Sequence, residues 1–124
     1  MASRVRLDGL QNALRAIARV PEAMRQARND TLHEWADAVE NTAADKSPRD
    51  QGNLFQAIDQ RVNEHYGRAD VGVWQPDQLE YAMYVEKGTS KMEAQPYLVP
   101  AFNEHRRQVT RTYRAAFRRH IGGG

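Results

Sequence analysis

Three groups of residues in this 124-residue chain have the types and spacing that site chemistry uses. His33-Glu34-Trp35-Ala36-Asp37 comes within one residue of the HExxH signature, in which two histidines a helical turn apart hold zinc. Asp37 stands where the second histidine belongs, and no third ligand has a suitable spacing, so His33 reads as a surface histidine beside acids. Gly88-Thr89-Ser90-Lys91 has the composition of a phosphate-binding loop. It lacks the preceding glycine and the helix start of a P-loop, so the simpler reading is that Gly88 supplies a positive φ and the hydroxyls satisfy turn amides. Arg106, Arg107, Arg111, Arg114, Arg118 and Arg119 crowd one segment and could neutralise several phosphates without reading sequence. A solvated or subunit-facing basic face is the commoner use of such a stripe, and a membrane-surface role fits less well. His65, His105 and His120 are scattered, and no Ser or Thr lies in a nucleophile elbow. Catalytic, metal and cofactor residues are therefore assigned to none, and no enzymatic activity is expected.

The elements that must position these groups are constrained by a small, polar chain. At 14.2 kDa, with mean hydropathy −0.82 and 27% charged residues, one domain with a modest core is expected. Much of its apolar surface would then find partners only in an assembly. There is no cysteine, hence no disulfide framework, which suits a reducing cytoplasm or a particle assembled there. No apolar run approaches the ~20 residues of a membrane span, and no apolar leader opens the chain. Net charge is +2, unevenly spread. Residues 1–20 carry four Arg against one Asp, residues 21–44 two Arg against five acids, and residues 98–124 six Arg against Glu104 alone. Such polarity suits head-to-tail packing or an anionic partner.

Val5 and Leu7 alternate with Arg4 and Arg6, which predicts a short edge strand over residues 3–7. Asp8 would cap a short helix carrying Leu10, Leu14 and Ile17, and Pro21 would interrupt it and start the next. Residues 21–44 hold no further Gly or Pro. They place Met24, Ala27, Thr31, Trp35, Ala38 and Thr42 at spacings of three and four, a long helix of roughly 36 Å. Residues 45–53 are a loop. A turn at Leu54, Phe55 and Ile58 leads into a strand, Gly67-Arg68 makes a hairpin into residues 69–74, and residues 75–78 turn again. Tyr81, Met83 and Val85 then alternate with Ala82, Tyr84 and Glu86 as a third strand. Pro96 and Pro100 frame the start of a last helix, residues 97–120. On it Leu98, Phe102, Val109, Tyr113, Ala116 and Phe117 form one face and Arg107, Arg111, Arg114 and Arg118 the opposite one. Residues 121–124 are a tail. The expected fold is α+β, with a small antiparallel sheet of three to four strands, a β-meander over 54–87. It packs against a long N-terminal helix and a C-terminal amphipathic helix.

Three segments also resemble one family. Ser47-Pro48 followed by Gly52-Asn53-Leu54 and Ile58 resembles the SPxxTGxLxxSI segment of the neck, or tail-completion, proteins of long-tailed bacteriophages. Tyr81-Ala82 and the run Tyr84 to Met92 are similar to that family's YAxYVEFGTSKM core. Ala94 to Ala101 is similar to its AxPFLxPA segment. Gln51 departs where the family usually has Thr, and Lys87 where it often has an aromatic residue. The resemblance implies a structural virion protein at the head–tail junction, a ring of six copies around the DNA channel, assembled in the bacterial host cytoplasm. It implies other neck and tail proteins as partners, non-specific contact with channel DNA, and no cofactor, enzyme activity or membrane. Structural or interface candidates are Pro48, Gly52, Leu54, Tyr81, Tyr84, Glu86, Gly88, Thr89, Lys91, Pro96 and Pro100. Arg107, Arg111, Arg114 and Arg118 are DNA- or subunit-facing, and residues 87–95 would touch an adjacent ring or subunit. A tail terminator capping the tail tube is a close alternative. A small nucleic-acid-binding protein using the Arg helix is the alternative of another class.

Overall fold

A computed structural model describes residues 2–49 and 54–122, with side chains from residue 12 onward. Gly52 and the last two glycines of the expected tail lie outside the described residues. The dominant element is helix α1, Ala2–Lys46, 45 residues and so about 68 Å long. The edge strand expected over residues 3–7 is part of this helix, and Pro21 lies inside it instead of interrupting it. Leu7, Leu10, Leu14 and Ile17 recur at three, four and three, a helical spacing that outweighs the short Val5–Leu7 alternation. Proline removes the hydrogen bond to the carbonyl four residues back. That carbonyl belongs to Ile17, which is 65% exposed, so water can take the place of the lost amide.

Ser47 ends α1. Its amide and its hydroxyl both return to the last turn, the amide 3.0 Å from the Ala43 carbonyl and Oγ 2.8 Å from that of Ala44. The expected turn and strand then follow as α2, Leu54–Ala57, and β1, Ile58–Asn63. The hairpin is present too. Gly67 has φ 64°, Asn63 Oδ1 accepts from the Tyr66 amide, and β2, Arg68–Val73, pairs antiparallel with β1 in the register Ile58–Val73 to Asn63–Arg68.

The sheet stops at two strands. Residues 81–86 are not a third strand but the second half of helix α3, Pro76–Lys87. Pro76 sits in its first turn, where the missing amide costs nothing, beside Asp77. Gln78, Tyr81, Ala82 and Val85 then face inward at i, i+3, i+4 and i+7, whereas Met83 and Tyr84 are adjacent and both exposed. Both periods fit Tyr81 to Glu86 alone; Gln78 and the proline start decide for the helix.

The C-terminal helix is two helices, α4 (Leu98–Arg106) and α5 (Val109–Gly122), so the expected tail is helical through Gly122. The main core gathers Val39 and Ala43 of α1, Leu54, Ile58, Ala82, Val85, Tyr97 and Ala101. A second zone joins α1 to α5, where the small residues Ala23, Ala27 and Ala116 are buried. There Asp30 accepts from His120 Nε2 at 2.6 Å and lies 3.5 Å from Arg119.

Candidate functional site

Residues 81–101, where the sequence resemblance is densest, build a joint between α3 and α4. Gly88 closes α3 with its amide 2.7 Å from the Tyr84 carbonyl and turns the chain at φ 77°. A Cβ at this glycine would meet the Ala94 amide nitrogen at 2.8 Å, because the loop folds back over it. Thr89 pins the fold-back: its amide donates to the Met92 carbonyl at 2.8 Å, and its hydroxyl accepts from the amides of Lys91 (3.2 Å) and Met92 (3.0 Å). The Gln95 amide then returns to the Val85 carbonyl at 2.7 Å. Glu86 reaches across the joint. Its carboxylate accepts from the amides of Tyr97 at 3.1 Å, Leu98 at 2.7 Å and Val99 at 3.3 Å, the groups a helix N-terminus leaves unpaired. Negative charge here also suits the α4 dipole.

Tyr97 is fully buried, and its hydroxyl donates to the Ala82 carbonyl at 3.2 Å. Burial, with smaller contributions from Glu86 and Tyr81, pushes its ionisation up to about 12. Leu54 is also fully buried, and Tyr81 is half-buried against the same cluster. Pro100 lies in the first turn of α4, and Pro48 follows the Ser47 stop. Lys91, Pro96 and Tyr84 are exposed, the last with its hydroxyl bonded to Glu80, which raises its ionisation. Sequence reasoning placed Gly88 and the Thr89 hydroxyl correctly. It missed the long-range cap by Glu86, which nothing in local spacing announces.

The other two groups are laid out differently. His33 and Asp37 both face the hairpin, with His33 Nε2 2.9 Å from Glu64 Oε1 and Asp37 accepting from Gln60 at 2.6 Å. Among the described residues no group of three His, Cys, Asp or Glu could hold a metal ion. Arg107, Arg111, Arg114 and Arg118 line one shallow surface groove of about 400 Å³, and among the described residues none pairs with a carboxylate. The amphipathic reading of this region therefore holds for α5. Phe102 does not belong to the core: it is 45% exposed and meets Trp35 edge-on at 5.9 Å. The break at Arg107 and Gln108 puts it at the rim of a groove instead.

That groove, about 620 Å³ between α1, α4 and α5, was not anticipated from the sequence. Its walls are Leu32, Trp35, Phe102, Val109 and Tyr113, with Arg28 and Arg106 at its edge. No known family, curated protein or solved structure matches the chain. No described helix is long and apolar enough to cross a membrane. The arrangement presents an apolar groove and a separate basic groove beside the hydrogen-bonded α3–α4 joint.

Proposed function

We propose that this chain is a structural subunit of the head–tail junction of a long-tailed bacteriophage. It works as a homo-oligomeric ring of six copies that joins or completes the tail around the DNA channel. One observation carries the reading. The segments that resemble the neck family form two stretches, 47–58 and 81–101, separated by the hairpin and the start of α3, and both supply side chains to a single core cluster: Leu54, Ile58, Ala82, Val85, Tyr97 and Ala101. That placement is what the resemblance requires of a fold-defining motif. Exposed apolar side chains support an assembling role, among them Leu14 at 55%, Ile17 at 65% and Phe102 at 45%. On this reading the free side of the 87–95 loop, with Ser90, Lys91 and Glu93 exposed, faces a neighbouring ring of neck or tail protein.

Particles assembled without the chain are expected to yield separate filled heads and tails with loss of infectivity. Firmly joined, infectious particles would sink the proposal. Labelled copies should lie between portal and tail tube; a position on the last tube ring would make the chain a terminator. A second reading, direct nucleic-acid contact, is favoured by the unpaired arginines of α5 and has its own test below.

A further inference from the structure

We propose that the apolar groove between α1, α4 and α5 receives the outer face of α3 from a second copy of this chain. This rests on the assembly reading above and specifies its subunit contact. The groove presents Leu32, Trp35, Phe102, Val109 and Tyr113, more aromatic and aliphatic surface than an isolated polar chain leaves open without a use.

Its rim is basic and uncompensated. Among the described residues Arg106 has no carboxylate partner. Arg28 spends its guanidinium on neutral acceptors, the Glu64 carbonyl at 2.5 Å and Asn29 Oδ1 at 3.2 Å. The groove therefore selects an apolar ridge flanked by acids.

Among the described residues three pairs of exposed apolar side chains lie about one helical turn apart; Val99 and Phe102 are on α4, one of the receiving helices, which leaves two candidates. One is on α1, where Leu14 and Ile17 are flanked by Arg15 and Arg19, like in sign to the groove rim. The other is on α3, where Leu79 and Met83 lie one helical turn apart, 47% and 51% exposed, with Asp77 and Glu80 beside them. Charge chooses α3. Lys87 lies a further turn along, at the end of the helix, away from the Leu79 end of the ridge. Helix α3 packs on α2 and β2 and meets the start of α4, whereas the groove is lined by Phe102 and Arg106 from the second half of α4 together with α1 and α5, so ridge and groove are different patches. Joining two different patches is a heterologous, head-to-tail contact, the kind that closes rings and does not stop at a two-fold dimer.

The chain has no cysteine, so site-directed disulfides can read the contact directly. Full-length Met83→Cys and full-length Phe102→Cys, mixed under mild oxidation, are expected to give a cross-linked dimer that neither variant gives alone. The doubly substituted chain should give a ladder of higher multimers. Glu80→Arg and Arg106→Glu should each lower self-association at least about tenfold, and combining one of each in a mixture should restore it. Circular dichroism checks that these surface variants stay folded. Cross-linking of either variant with itself as strongly as in the mixture would overturn the proposal. So would a mixture that cross-links no more than a control pair with Asn41→Cys. Junction rings in particles without this cross-link would discard the interface and keep the function, whereas joined particles lacking the chain would do the reverse.

Discussion

Glu86 holds the α3–α4 joint by accepting three backbone amides that would otherwise lack partners. Glu86→Ala strips all three, and a loss of about 1–3 kcal/mol is expected, visible as a fall of several degrees in Tm. Glu86→Gln, which keeps one acceptor oxygen, should lose less; equal Tm for all three proteins would refute the cap. At Gly88 the φ of 77° and the 2.8 Å approach to the Ala94 amide act together. Gly88→Val should cost about 1–3 kcal/mol by denaturant titration, and an unchanged midpoint would mean that the loop relaxes freely. Tyr97 carries a pH signature. Its ionisation is raised from 10.0 to about 12, so the protonated phenol favours the fold. That contribution is intact below pH 10 and is lost as pH rises through about 12. Tyr97→Phe should be less stable than the parent by about 1 kcal/mol at neutral pH, with the gap narrowing in alkali. A gap that stays constant in chemical denaturation up to that pH would contradict the buried phenol.

Among the elements, α1 and α5 share the most extensive contact, and Asp30 is its polar tie. His120 first, then Arg119, hold its carboxyl below the ordinary 3.8. A depressed carboxyl stabilises the fold above its unfolded value and stops doing so as pH falls through its folded one. Asp30→Asn should therefore lower Tm at neutral pH and flatten the loss of stability on acidification below about pH 4. The pair is half-exposed, so the effect should be at most about 1 kcal/mol. An identical acid profile for parent and variant would show that the tie contributes nothing. The same elements show what the sequence made legible. Turn-associated features are local and legible: the Gly67 hairpin and the Gly88 turn, while α1 runs two residues past its expected end at residue 44. The Tyr81 to Glu86 segment was misread because six residues satisfy periods of 2 and 3.6 equally, and only Gln78 and Pro76 upstream break the tie. The break after α4 is invisible in the sequence because Arg107 and Gln108 are ordinary helix formers; a long-range hydrogen bond between His105 and Thr42, 2.7 Å, ties the end of α4 to α1. The Glu86 cap and the Trp35–Phe102 groove are long-range contacts that no local window contains.

For the whole molecule, the question is which partner the basic face of α5 serves. Arg107, Arg111, Arg114 and Arg118 project from the side opposite the α1 contact, so changing them should leave the fold intact. If the chain binds DNA by itself through four phosphate contacts, log affinity should fall with log salt at a slope near −3.6. Raising salt from about 50 to about 200 mM would then weaken binding by about 150-fold. Arg111→Glu, Arg114→Glu and Arg118→Glu together would abolish it. The junction-ring proposal makes a different demand, since joining depends on contacts between copies and rings and DNA only passes through. On that proposal the triple variant should still cross-link through Met83→Cys and Phe102→Cys and still yield tailed particles. DNA affinity of the lone chain, measured by fluorescence anisotropy, should be weak even at low salt. A triple variant that folds and cross-links normally but leaves heads and tails apart would move the essential contact from the subunit groove to this arginine stripe.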